Sequence, residues 1–278
     1  MKRTLLILAL AFTLPHVTQG QTKGRAKARG VLLEDLTWME AEKILTPETV
    51  VVIPLGAAAK EHGPHLKLKN DLILAEYLKR RVLGRSNVVV APTVTYHFYP
   101  AFVEYPGSTS LGLETARNVV VEICRSLARH GPRRFYVLNT GISTLNALKP
   151  AADTLAADGI LLRYTDLAKI TDPVVKAVGK QEGGTHADEI ETSMILYMDP
   201  ASVDMKKAVK DYHPRRGRGP LSRRPEADGV YSATGVWGDA TLATREKGRR
   251  VTEALVEGIL RDIEETRSAP APERQTKQ

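Results

Sequence analysis

The chain has 278 residues, a hydrophobic fraction of 42%, a formal charge of +8 and one cysteine. This is room for one large α/β domain with an ordinary core, and it excludes a scaffold held together by disulfides within the chain. Past the N-terminus no stretch approaches the roughly 20 apolar residues of a membrane-spanning helix.

Lys2 and Arg3 precede an apolar run from Leu5 to Leu14, followed by Pro15 and a small-residue exit near Thr18 and Gly20. That is the pattern of a secretory signal peptide over 1–20, so export to the periplasm or the outside is expected. No cysteine follows that would take a lipid, and without Lys2 and Arg3 the charge is +6. Residues 21–33 are polar and basic, and a flexible segment is expected there.

Leu36, Met39 and Ile44 mark a short helix over 36–45, and the β-branched run Val50 to Ile53 reads as a buried strand ending at Gly56. The loop beyond it holds Glu61, His62 and His65, and Asp71 opens a helix whose Leu72, Leu74, Ala75, Leu78 and Val82 share one side. These ionisable groups follow the carboxyl end of a strand, where open α/β sheets bind ligands. Asp71 has a second reading as a helix N-cap.

Asn87 to Val94 is a second buried strand, its unbroken apolar run suited to a parallel sheet covered on both faces. The aromatic-rich loop after it, with His97 and Glu104, is an expected pocket wall or subunit contact. A helix from Leu113 to His130 stops at Gly131, with Cys124 among its apolar positions as a core thiol. Arg134 to Asn139 is a third strand, Leu145 to Ala157 a helix and Ile160 to Tyr164 a fourth strand. The alternation predicts right-handed βαβ crossovers and a three-layer α/β/α sandwich with a mostly parallel central sheet, in one domain over 34–267.

From Ala168 the pattern loosens until Gly183-Gly184-Thr185-His186-Ala187-Asp188-Glu189-Ile190-Glu191, which opens a helix from Glu189 to Met198. Lys206 to Arg224 carries eight basic residues against Asp211, interleaved with Gly and Pro. It reads as a solvated or interface loop; with no alternating aromatics to stack bases, no nucleic-acid partner is expected. A long helix spans Thr241 to Thr266, and the tail over 268–278 is expected to be mobile.

Glu61, His62, Asp71, His186, Glu189 and Glu191 supply the nitrogen and oxygen ligands that divalent ions prefer. On a helix Glu189 and Glu191 point to different sides, so one of them reaches a given ion. A bound ion would activate water and polarise a carbonyl, the chemistry of amide hydrolysis, with His186 or a carboxylate moving protons. No G-x-S-x-G elbow and no G-x-G-x-x-G after the first strand is present, which disfavours a serine hydrolase and a dinucleotide fold.

The stretches PLGAAAKEHGPHLKLKND, YPGSTSL, HADEIETSMIL and GVWGDATLATREKG, in this order, resemble the creatininase (creatinine amidohydrolase) family from about Leu36 to the C-terminal helix. The resemblance implies a layered α/β core, zinc or manganese in one or two sites per chain, a small non-peptide or cyclic amide as substrate, and a homo-oligomer, commonly a hexamer. It assigns Glu61, His62, Asp71 and Glu191 as metal ligands and His186 as the catalytic proton-handling group, and leaves the substrate-binding residues open.

Two departures stand out. Lys60 occupies the position of the family's Glu two residues before His62, with Glu61 beside it, and a Lys60 pointing inward would oppose a second cation. After the third strand Gly141 stands where the family has a ligating His. His65 and His97 are expected to be hydrogen-bonded structural histidines rather than substitute ligands. An exported metal-dependent amidohydrolase with a variant site is the leading expectation. A non-catalytic creatininase-fold protein that binds a small ligand is the alternative.

Overall fold

The computed structural model describes residues 29–213 and 219–275; the expected leader, the start of the 21–33 segment and part of the basic loop lie outside the described residues. In chain order the main elements are β1 (Val31–Leu32), α1 (Trp38–Ile44), β2 (Val50–Leu55), α2 (Asn70–Arg85), β3 (Val89–Val90), α3 (Leu113–Ala128), β4 (Arg134–Asn139), α4 (Leu145–Ala157) and β5 (Leu161–Tyr164). There follow α5 (Leu167–Val178), α6 (Glu189–Met198), β6 (Lys210–Asp211), β7 (Leu221–Ser222), β8 (Val230–Tyr231), β9 (Gly238–Asp239) and α7 (Arg245–Ser268).

Every residue of β2 is buried, which a strand tolerates only when both faces of its sheet are covered. The pleat sends alternate side chains to opposite layers. Val51, Ile53, Leu55, Phe135 and Val137 pack with Val120, Cys124 and Leu148 from α3 and α4. Val50, Val52, Tyr136 and Leu138 pack with Leu74, Leu78, Met194 and Leu255 from α2, α6 and α7. The strands run parallel in the order β1-β3-β2-β4-β5, with Val50 opposite Arg134 and Leu55 opposite Asn139. The expected α/β/α sandwich is therefore present, and β2 and β4 end side by side at its carboxyl edge. Among the described residues no helix is long and apolar enough to cross a membrane.

Four local expectations change. The 21–33 segment is not free to its end: Val31 and Leu32 pair with β3, and Gly30 N–H donates to Leu83 C=O at 2.9 Å. The strand expected over 87–94 shrinks to β3 because Pro92 has no N–H for the ladder, and pairing resumes only as a bridge between Leu55 and Val94. Residues 167–178 form α5 although Pro173 lies inside it; Asp166 caps the helix, and Leu167, Ile170, Val174 and Val175 pack into the core on the α7 side. The tail keeps contact after α7, since Arg134 Nε donates to Ala269 C=O at 2.9 Å and Gln275 N–H to Ala157 C=O at 3.0 Å. Cys124 is fully buried, and burial pushes its thiol up, as suits a core residue.

Helices α6 and α7 approach closely at Gly248, where an added Cβ would overlap the Ser193 carbonyl. Gly248→Ala forces two backbones apart, and even after the better helix propensity of Ala it is expected to cost about 2 kcal/mol, read as a lower urea midpoint at unchanged slope.

Candidate metal centre

The carboxyl edge of the sheet receives three segments: the loop between β2 and α2, the loop leading into α6, and the aromatic loop after β3. Asp71 lies in the first turn of α2 but does not cap it; Lys69 is the N-cap residue. The Asp71 carboxylate instead turns inward, with Oδ2 2.8 Å from Lys60 Nζ and Oδ1 2.8 Å from His62 Nε2. Lys60, His62 and Asp71 are all buried.

Glu191 reaches the same point from α6. One carboxylate oxygen, Oε1, accepts from Asn70 Nδ2 at 3.1 Å and lies 3.4 Å from His62 Nε2; the other, Oε2, accepts from Ala187 N–H at 2.7 Å and lies 3.7 Å from His186 Nδ1. Ala187 has φ 47°, an uncommon conformation for a residue with a Cβ, which aims its N–H at Glu191 just after His186. Glu189 departs to the other side, accepting from Lys180 and Gln181 N–H and pairing with Lys247.

His186 is fixed through its backbone, which forms an antiparallel bridge with Trp237. Its ring lies 5.0 Å from His62 and 4.3 Å from Phe102 between centroids. Its Nε2 donates to Glu61 at 3.0 Å, through both Oε2 and the backbone carbonyl. Gly235 (φ 83°) leaves room for the Glu61 carboxylate, which a Cβ there would strike. His65, bonded through Nε2 to Thr192 Oγ1 at 2.7 Å, is a structural histidine, and burial lowers its pKa to about 4. Burial lowers His97 to about 4 as well; among the described residues it does not belong to the potential ligand group.

Charge in the cluster is strongly coupled. Burial opposes the charge on Lys60, but the carboxylates of Asp71, Glu191 and Glu61 outweigh it and hold the ammonium above its ordinary range. Burial and Lys60 press His62 down, yet Asp71 and Glu191 raise it to about 9. Glu191 and Asp71 are held low by their cationic neighbours against the effect of burial.

These residues fit one divalent ion. His62 Nδ1 lies 2.8 Å from Lys60 C=O, the usual tie for a ligating imidazole, so once an ion replaces the Nε2 proton the ring would offer that lone pair beside two carboxylate oxygens. Three electron-rich atoms converge there only if a cation, a proton or a metal, lies between them. The spacing of 3.4 Å between His62 Nε2 and Glu191 Oε1 matches the roughly 3.3 Å between tetrahedral ligands about 2.0 Å from zinc. Among the described residues His62, His186 and Glu191 form the group whose ligand atoms all lie within 4.8 Å of one another. Three carboxylates, Glu61, Asp71 and Glu191, face the single ammonium of Lys60, an excess that one divalent ion balances.

Two expected site residues are placed otherwise than the resemblance implies. The Glu61 carboxylate is taken by His186 Nε2 and Gly63 N–H, and among the described residues it lies outside the potential ligand group. His186 falls within the potential ligand group, with Glu61 at one ring nitrogen and Glu191 facing the other. Asp71 stays in the cluster as the counter-ion that joins Lys60 to His62. Sequence reading missed Asn70, Phe102 and Trp237; the signal for each was membership of a stretch already singled out, the two motif segments around Asn70 and Trp237 and the aromatic loop holding Phe102. A second ion does not fit: Lys60 puts a buried ammonium on Asp71, and Gly141 brings no ligand.

Residues 34–263 match the family model described as "Creatininase: Creatinine amidohydrolase". Creatinine amidohydrolase of Pseudomonas putida is 30% identical over 259 residues, covering 86% of this chain and 98% of that protein. A mycofactocin precursor peptide peptidase of Mycobacterium tuberculosis (strain CDC 1551 / Oshkosh) is 31% identical over 239 residues, covering 80% and 87%. A solved structure described as "Creatininase Mn" superposes with a TM-score of 0.71 at 27% identity, covering 86% of this chain and all of that one.

Proposed function

Because this chain belongs to the creatininase family, we propose that it hydrolyses the C–N bond of a small non-peptide amide with one divalent ion held by His62, His186 and Glu191. The supporting observation is the second tie of each imidazole, to Glu61 or to the Lys60 carbonyl, which turns His186 Nδ1 and His62 Nε2 toward the Glu191 carboxylate. Two imidazoles and a carboxylate are a common catalytic zinc set, and manganese is supported by the likeness to the "Creatininase Mn" structure.

Such an ion, when bound, lowers the pKa of its water and polarises the acyl oxygen. The protein's own groups do the rest. Glu61 accepts a hydrogen bond from His186 Nε2 and so turns Nδ1 toward Glu191; the Lys60 carbonyl accepts from His62 Nδ1 and turns Nε2 the same way. Phe102 covers the His186 ring and keeps bulk water from that side. In the net reaction the water oxygen joins the acyl carbon, the C–N bond breaks with its electron pair on nitrogen, and a proton reaches that nitrogen.

Export is part of the proposal, supported by Lys2, Arg3 and the apolar run Leu5 to Leu14; N-terminal sequencing of the secreted chain tests it. A homo-oligomer is proposed as well, supported by the exposure of Trp38 (73%) and Met39 (56%) on α1, and sedimentation measures it.

Metal analysis on freshly purified protein is expected to give close to one zinc or manganese per chain, and chelation is expected to abolish hydrolysis in a screen of small amides and formamides. Less than about a tenth of an ion per chain, with any activity indifferent to chelation, would overturn the hydrolase in favour of a non-catalytic ligand-binding protein.

A further inference from the structure

A cavity of about 470 Å³ opens at the metal centre, within the size range of small-molecule sites. Lys60, His186, Glu191 and Thr140 line part of it. Leu167, Val175, Ile190, Met194, Val251 and Leu255, all from the apolar cluster of α5, α6 and α7, line another part. Among the described lining residues Lys60 is the one lysine or arginine.

Lys60 is 5% exposed. Its ammonium lies 4.7 Å from the Phe102 ring centroid and 5.7 Å from that of Tyr99, and among the described residues it pairs only with Asp71. An ammonium has three donors, so donors remain for a ligand in the cavity. A buried cation beside apolar walls suits an oxygen joined to a hydrocarbon group.

We propose that Lys60 is a substrate-binding residue that grips the acyl oxygen, where a second metal ion would otherwise supply positive charge, and that the substrate is an amide whose acyl group carries an extended apolar chain. This rests on the proposed hydrolase reading for the bond broken, but not for the binding.

Calorimetric titration with linear carboxylates from acetate to octanoate tests it, on protein whose zinc content is measured in the same sample. Affinity is expected to rise about fourfold per methylene as apolar surface is covered. Lys60→Met is expected to weaken every member at least about tenfold without lowering zinc content, because a charge that repels the ion has gone. Thr171→Trp, on the α5 wall, is expected to flatten the chain-length dependence and leave acetate unchanged.

Equal affinities for wild type and Lys60→Met, or no rise with chain length, would overturn the proposal. Should Lys60→Met fail to fold, octylamine on the wild-type protein decides: protonated at neutral pH, it is expected to bind at least about tenfold more weakly than octanoate, and equal binding refutes the role of Lys60. A wild-type sample with neither zinc nor manganese, and with activity indifferent to chelation, refutes the hydrolase reading separately, since the ratio of wild type to Lys60→Met is then still read in ion-free protein.

Discussion

Glu191→Gln is expected to release the metal ion and lower kcat/KM at least about a thousandfold, on the order of 4 kcal/mol of transition-state stabilisation. Among the described residues the Glu191 carboxylate is the one carboxylate that faces both imidazoles, 3.4 Å from His62 Nε2 and 3.7 Å from His186 Nδ1. An amide keeps one acceptor for Asn70 or Ala187 but carries no charge, and its NH2 cannot ligate. The fold is expected to survive, because the Glu191 side chain is 17% exposed and hydrophobic packing holds α6. Metal analysis and thermal melting of the same preparation check both statements. Retention of a full equivalent of tightly bound metal with unaltered hydrolysis would remove Glu191 from the site.

Asp71→Asn is expected to be the most destabilising single change in the cluster, by about 3–5 kcal/mol, because it leaves the buried Lys60 ammonium without its counter-ion. The double variant Lys60→Met with Asp71→Asn is expected to recover most of that loss, so the pair shows strong coupling in a double-mutant cycle by urea denaturation. The pH dependence has a definite sign. Burial raises the Asp71 carboxyl, but Lys60 and His62 lower it further, so its folded pKa lies below the ordinary 3.8. Its contribution is then present in full above the unfolded value and lost as pH falls below about 4 toward the folded one. Asp71→Asn is expected to flatten the acid limb of the stability profile. Equal acid sensitivity in wild type and variant would show that the Asp71 charge is not what holds Lys60.

Much of the fold was legible because each strand is short, apolar and bounded by turn residues. Arg134–Asn139, Leu145–Ala157 and Glu189–Met198 were readable to the residue. The failures have local causes. Pro173 masked a helix that its apolar face and Asp166 cap support in context, and Pro92 cut short a strand whose composition reads as continuous. Val31 and Leu32 carried no pattern of their own, since a two-residue strand exists only by pairing with β3.

For the site, the sequence by itself determined the inventory: His62, His186, Asp71 and Glu191, the lysine at position 60 and the glycine at 141, placed at strand ends where parallel sheets bind ligands. What only the tertiary structure decided is which of these groups face one another. Glu61 differs from a ligand by where its carboxylate points, and Lys60 differs from a surface lysine by the burial that sets it on Asp71. The first follows from His186, 125 residues away along the chain; the second follows from the loop that folds Lys60 between Asp71 and the Phe102 and Tyr99 rings; spacing within a motif specifies neither contact.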